Sequence, residues 1–280
     1  MTDQQRTYPD GVPSWVDLNT PDPGDSQAFY RGLFGWDFET ATPPGVPPYE
    51  IATLGGLDVG GLAPTSDASV ADAGPAFWAT YVSVDDADAT VERAVAAGGK
   101  VVSYPQGGGD GGRSAVLSDP AGAEIRLWEP KQRLGAQKVN EPGSWVFNHL
   151  RSPGPDALDF YRAVWGWEDI DMSGTTMIRR LGYGAHLAAT VSPQIMEMIA
   201  SVGAPAEFAD VVAAWSPEVA AGDPYWHVSF SVADRDVAAA RAVELGASVE
   251  DTAETEWSRD ATIVDPQGAR LTLSQFVPPT

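Results

Sequence analysis

The chain holds three histidines in 280 residues, His149, His186 and His227, all in its second half. Imidazole is the side chain whose ordinary pKa lies near neutrality, and it is the commonest metal ligand. His227 heads Tyr225-Trp-His-Val-Ser-Phe-Ser-Val-Ala-Asp234, a stretch that alternates as a strand does. In that setting it could ligate a metal, carry a proton or line a binding wall. Three imidazoles converging from three strands would suit zinc, iron or nickel. No pair shows an HxH or HxxxH spacing, so convergence would have to come from the fold. The period of two places Trp145, Phe147 and His149 on one face of a first strand, and His186 is read on a fourth strand. Trp15, Asp17 and Asn19 share a face in the same way, as do Ala79, Tyr81 and Ser83. Cysteine is absent, which removes disulfides, thiolate zinc sites and cysteine nucleophiles together.

These residues sit on a repeating scaffold. SWVDLNTPDPGDSQAFYRGLFGWDF from Ser14 matches SWVFNHLRSPGPDALDFYRAVWGWED from Ser144, and FWATYVSVDDADATVERAVAAGG from Phe77 matches YWHVSFSVADRDVAAARAVELGA from Tyr225. VLSDPAGAEIRLWE from Val116 matches IVDPQGARLTLSQF from Ile263. The offset grows along the halves, so the second carries about 17 extra residues, placed within Val191 to Asp223. Each half reads as two similar units, each an alternating run, an amphipathic helix closed by Gly, and three further strands. The turns Asp119-Pro-Ala-Gly and Asp265-Pro-Gln-Gly join the last two strands of the later units. The expected fold is therefore α+β, four βαβββ units in a first domain over 12–130, a polar linker over 131–143 and a second domain over 144–277 with an insertion near 192–222. In the insertion, Met196 and Ile199, then Phe208, Val211, Val212 and Trp215, fit the spacing of a helical pair, packed on the sheet or closing over it as a lid. Phe34, Trp36, Trp165 and Trp167 recur at matching helix ends and are read as core. Gly107 to Gly112 holds five glycines but lacks the Lys-Ser/Thr and helix of a phosphate-binding loop.

The formal net charge is −22, which repels nucleic-acid backbones and anionic membranes; neither is an expected partner. No apolar run approaches the roughly 20 residues that cross a bilayer. The opening MTDQQRTYPDG lacks a signal pattern, and a cytoplasmic location is expected. Ten Trp residues supply flat walls suited to flat ligands as well as core.

The DP-x-G turn before a last strand, the D-x(6)-FY helix start and the doubled βαβββ unit resemble the vicinal oxygen chelate superfamily of glyoxalases, extradiol dioxygenases and bleomycin-binding proteins. The tandem form, with SWVDLNTPD, FYRGLFGW and YWHVSFSVAD, is similar to a two-domain actinobacterial group labelled glyoxalase-like proteins or hydroxylases. The resemblance covers residues 12 to 276 and implies that paired units curve into two cup-shaped half-barrels, each with a ligand inside. It also implies metal ligands on first and last strands, commonly His, Gln and Glu. In this chain those positions fall on Trp15, Ala79 and Arg126 in the first half, and on Trp145, His227 and Thr272 in the second. Trp, Ala and Arg do not bind a divalent metal, and Thr272 is a poor ligand.

The reading is a pocket for a small hydrophobic or aromatic metabolite, with no cofactor as the first expectation and His149, His186 and His227 as the alternative divalent-metal set. Catalytic roles go to His227 as base and to Asp17 as a second candidate general base. Arg126 could pair with Asp17 or hold a carboxylate or phenolate. Ligand-lining roles go to Trp15, Asn19, Tyr81, Arg126, Trp145, His149, Ser229 and Thr272, with Ser231 and Ser274 adding hydroxyls. Three functions follow. The first is a metal-independent enzyme of secondary metabolism, of the hydroxylase or acid/base type. The second is a non-catalytic protein that sequesters an aromatic compound, and the third a metal-dependent dioxygenase or lyase using the C-terminal half. Tandem units could satisfy within one chain the pairing that single-unit relatives reach by dimerising, so a monomer and a homodimer are both open.

Overall fold

The computed structural model describes residues 6–65, 74–107, 109–154, 156–172, 174–217 and 224–278. The first half runs β1 (Val12–Thr20), α1 (Pro23–Phe34), β2 (Asp37–Thr40), β3 (Glu50–Leu54), β4 (Leu57–Pro64), then β5 (Phe77–Ser83), α2 (Ala87–Ala96), β6 (Lys100–Gly107), β7 (Gly112–Ser118) and β8 (Glu124–Pro130). The second half repeats it as β9 (Trp145–Arg151), α3 (Asp156–Trp165), β10 (Glu168–Met172), β11 (Thr175–Arg179) and, after an insertion, β12 (Val211–Ser216). The insertion holds α4 (Tyr183–Thr190), α5 (Ile195–Ser201) and a 3₁₀ turn over Ala206–Asp210. The last unit is β13 (Tyr225–Ser231), α6 (Arg235–Glu244), β14 (Ser248–Glu254), β15 (Ser258–Val264) and β16 (Arg270–Phe276).

Each half builds one eight-stranded mixed sheet, with strand orders β2-β3-β4-β1-β5-β8-β7-β6 and β10-β11-β12-β9-β13-β16-β15-β14. In every unit the first strand runs parallel to the fourth, and the second to fourth strands form an antiparallel meander. The helices begin where the sequence supplies a capping carboxylate. Asp22, Asp86 and Asp234 each accept the backbone N–H three residues on, at 2.9 to 3.0 Å, satisfying donors that a helix start leaves unpaired. Gly35 closes α1 at φ 74°, a left-handed conformation that costs glycine nothing.

By compactness the chain divides into two units that each draw on both halves. Unit 1 comprises residues 1–14, 80–135 and 148–226; unit 2 comprises 15–79, 136–147 and 227–280. Each is centred on an aromatic cage. In unit 1 the Tyr161 ring stacks on Trp167 at 5.3 Å and meets Trp226 edge-on at 5.4 Å. In unit 2 Tyr30 stacks on Trp36 at 5.4 Å and meets Trp78 edge-on at 5.4 Å. Both cages end in the same polar hook. Tyr161 donates to Asp119 Oδ2 at 3.0 Å and Tyr30 to Asp265 Oδ2 at 2.8 Å, while Trp226 and Trp78 donate to the two tyrosine oxygens. Phe34, Trp36, Trp165 and Trp167 are all buried, as core residues.

Two expectations about the insertion are corrected. His186 lies on α4, not on a strand. Phe208, Val211, Val212 and Trp215 do not share a second helix: Phe208 is in the 3₁₀ turn and the other three are on β12. Strand pairing decides the matter, because β12 bonds β11 on one side (Met177↔Ala214) and β9 on the other (Ala214↔His149). Ladder bonds on both edges outweigh a helical spacing of four side chains. Met196 and Ile199 do lie on one helix, α5. Residues 218–222, the end of the expected insertion, lie outside the described residues.

Candidate functional site

In unit 2, β1 carries a connected set of polar and aromatic groups. The Asp17 side chain is fully buried, as are Trp15 and Asn19 to more than nine-tenths. Asn19 Nδ2 donates to Asp17 Oδ1 at 2.8 Å, a bond between residues two apart on one strand face. Tyr49, just ahead of β3, completes the set. Its hydroxyl donates to Asp17 Oδ2 at 3.3 Å and accepts from Trp15 Nε1 at 2.8 Å. The Tyr49 backbone is held where the Pro-rich loop closes, with its N–H on Thr42 Oγ1 (3.2 Å) and its carbonyl accepting from Ala41 (2.8 Å). Gly61 on β4 leaves room beneath the phenol: a Cβ there would stand 2.2 Å from the Tyr49 oxygen. Sequence reasoning missed Tyr49. The signal was a Gly60-Gly61 pair inside a strand, which marks a close approach by another group.

Unit 2 also holds His227 on β13, 3% exposed. Its Nε2 is 2.8 Å from Thr272 Oγ1 on the parallel neighbour β16, and Thr272 is in turn 3.2 Å from Thr262 Oγ1, its register partner on β15. The result is an imidazole–hydroxyl–hydroxyl chain, buried at His227 and Thr272. Ser229 is buried one period further along β13, opposite Thr272 in register. Ser274 donates to Asp260 Oδ1 at 2.6 Å. Trp145 is buried, with its indole N–H on the Phe147 carbonyl at 3.3 Å.

Unit 1 holds Tyr81 on β5 and Arg126 on β8, which are register partners. Arg126 donates to the Tyr81 hydroxyl at 2.8 Å, and its guanidinium lies 5.4 Å from the centre of the same ring. His149 is on β9, where burial first and the Arg151 charge second hold its pKa down, from 6.5 to about 4. The imidazolium is thus disfavoured in the fold. Its contribution to stability is full above the unfolded value of 6.5 and is lost as pH falls through the folded value of about 4. In an NMR titration His149 will stay neutral at pH 6, and His149→Gln will flatten the loss of stability between pH 6.5 and 4. A His149 resonance titrating with a midpoint above 6 would overturn this. His186 faces the start of the chain, its Nε2 3.0 Å from the Thr7 carbonyl oxygen and 3.1 Å from Thr7 Oγ1.

Among the described residues, no three or more of His, Asp and Glu come together in a group that could hold a metal ion. The three-histidine alternative is corrected on this point. His186 is on an inserted helix bonded to Thr7, and His227 is bonded to Thr272. The positions that the resemblance marks for ligands offer an indole, a methyl and a guanidinium in the first half. In the second they offer an indole, one imidazole and one hydroxyl. This donor set does not fit a divalent cation, which wants three or more N, O or S lone pairs.

Residues 13–127 match the Glyoxalase/Bleomycin resistance protein/Dioxygenase superfamily, and residues 150–274 match the glyoxalase-like domain family. The chain is 34% identical over 275 residues to a Mycobacterium tuberculosis protein named "Putative glyoxylase CFP32", covering 97% of each. It belongs to the glyoxalase/bleomycin resistance protein/dioxygenase superfamily. Within that superfamily it is also 33% identical to the anthracycline biosynthesis protein DnrV of Streptomyces peucetius, over 95% of this chain and 94% of that one. Solved structures share the superfamily fold at low identity. The Mn(II)-bound glyoxalase from Novosphingobium aromaticivorans aligns with TM-score 0.60 at 15% identity, over 95% of this chain and 82% of that one. The 2,3-dioxygenase LapB from Pseudomonas sp. KL28 aligns with TM-score 0.61 at 13% identity, over 98% and 96%. No described helix is long and apolar enough to cross a membrane.

Proposed function

We propose that this superfamily member binds a small, flat aromatic metabolite and acts on it by metal-independent proton transfer, with His227 as the group that carries the proton. One observation supports this above the others. Where the superfamily resemblance marks metal ligands, this chain has hydrogen-bonded organic groups: His227 with Thr272, Arg126 with Tyr81, and Trp15 with Tyr49. Polar groups held beside aromatic rings suit an organic ligand with a few oxygen atoms. The naming of a 33%-identical relative for anthracycline biosynthesis is consistent with a fused-ring ligand class. Asp17 and Asn19 would orient the ligand. Trp145 and Ser229, in the same unit, would line it; separately, in unit 1, which also holds His149, Arg126 with Tyr81 would suit a carboxylate or phenolate.

The bond between His227 and Thr272 also supports a second reading, in which the protein holds an aromatic compound without changing it, because that bond fixes the imidazole as part of the wall. The two readings separate on one variant. Under the proton-transfer reading, His227→Ala lowers turnover by about 10²–10⁴-fold and leaves affinity for a flat aromatic within about tenfold. Normal turnover in that variant removes His227 from the mechanism, and unchanged aromatic after long incubation favours sequestration. Elemental mass spectrometry of tag-free protein is expected to give well under one equivalent of any transition metal. A near-stoichiometric metal that is lost in His227→Ala would overturn the metal-independent reading.

A further inference from the structure

Tyr49 belongs to no expected site residue set, yet its hydroxyl joins Asp17 to Trp15. Three features define how its phenol is held. The hydroxyl proton points to a buried carboxylate, Asp17 Oδ2 at 3.3 Å. The phenol oxygen takes an indole N–H, Trp15 Nε1 at 2.8 Å. The end of the ring lies over bare backbone at Gly61, where a Cβ would come within 2.7 Å of Tyr49 Cζ and 3.1 Å of Trp15 Nε1. Gly61 is not needed for its backbone angles, since it does not adopt the left-handed conformation. It is needed for space. An acceptor for the hydroxyl proton, a donor to the oxygen and a flat floor are what recognition of any aromatic hydroxyl requires. Tyr49 itself is half-buried, and its backbone is held independently of its phenol, at Thr42 and Ala41. Rotation of its side chain therefore opens the seat without moving β3.

We infer that Trp15, Asp17 and Gly61 form a seat for the hydroxyl of a hydroxyarene ligand, and that Tyr49 occupies this seat as an internal competitor which the ligand displaces. The inference rests on the aromatic-ligand reading above and makes it narrower: the ligand carries a phenolic or enolic hydroxyl, and the first contact it makes is with Asp17. Asn19, bonded to the other carboxylate oxygen at 2.8 Å, keeps Oδ2 turned toward the seat.

The test uses the full chain with 2-naphthol and 2-methoxynaphthalene as probes, read by calorimetry. Wild-type protein is expected to bind 2-naphthol, and Tyr49→Ala to bind it at least tenfold more tightly, because the competitor is gone. The methyl ether, which cannot donate to Asp17, is expected to gain no more than about twofold. Adding Gly61→Ala to Tyr49→Ala fills the seat with a methyl group and is expected to abolish the gain. General loosening of the site by Tyr49→Ala would not be reversed in this way. Tyr49→Phe, which preserves the ring, should gain less than Tyr49→Ala and guards against a variant that fails to fold. Unchanged or weakened 2-naphthol binding in Tyr49→Ala, or an equal gain for the ether, overturns the seat while leaving the aromatic-ligand reading in place. Absence of binding by either probe to any of these proteins overturns both.

Discussion

Trp167→Ala will cost about 3–5 kcal/mol of folding stability, within the range for removing a large aromatic from a packed core. Trp167 is 2% exposed. Its ring stacks on Tyr161 at 5.3 Å, tilts against Trp165 at 5.0 Å and meets Trp226 edge-on at 5.9 Å. Its Nε1 donates to the Gly11 carbonyl at 2.6 Å. The alanine variant loses the ring contacts, leaves a cavity among three other aromatics and leaves a buried carbonyl without this donor. Trp167→Phe retains most of the packing and is expected to cost about 1–2 kcal/mol, chiefly the lost hydrogen bond. Urea unfolding followed by circular dichroism checks both. An alanine variant within about 1 kcal/mol of wild type would mean that the cage repacks.

The second large effect is at the turn aspartates. Asp119 Oδ1 accepts the backbone N–H groups of Ala121, Gly122 and Ala123 at 2.8 to 2.9 Å, and Oδ2 accepts the Tyr161 hydroxyl. One carboxylate thus shapes the DP-x-G turn and fastens it to α3. Asp119→Ala leaves several buried donors without a partner and is expected to cost about 3 kcal/mol or more. Asp119→Asn, which retains an acceptor, costs less. Burial is the largest influence on this carboxyl and raises its pKa above the ordinary 3.8, against the hydrogen bonds that lower it. The sign follows from linkage. The folded state holds the proton more tightly than the unfolded chain, so this group's contribution is full below 3.8 and is lost as pH rises through the folded value. The stability difference between wild type and Asp119→Asn will therefore widen in favour of wild type as pH is lowered from 7 toward 4. A difference that narrows over that range would contradict the assignment. Asp265 has the same direction and the same leading cause.

The architecture was legible because it is written twice. Repeated motifs at near-constant offset, capping aspartates before each of three helices and two DP-x-G turns are local signals, and each appears in the structure where its residues sit. The insertion was less legible. Strand β12 is set by partners on β9 and β11, and no window of its own sequence contains them. The candidate site was legible by face and not by partner. Alternation put Asp17 and Asn19 on one side of β1, and their bond agrees. Tyr49 lies 32 residues from Asp17, in a position that no periodicity reaches. His186 lies in Tyr183–Thr190, an Ala-rich stretch whose composition favours the helix it forms over the expected strand.

The two tyrosine hooks differ in how much chain they enclose. Tyr161 meets Asp119 across 42 residues, whereas Tyr30 meets Asp265 across 235. During synthesis, which runs from the N-terminus, unit 1 has all of its segments once residue 226 has emerged. Unit 2 must wait: α1 and the Trp36 ring are made early, but Phe230 on β13 and Asp265 after β15, which they meet, come late. The aromatic cage of unit 2 is therefore completed only when the last unit of the chain has been made, although Tyr30, Phe34 and Trp36 are among the first side chains to emerge.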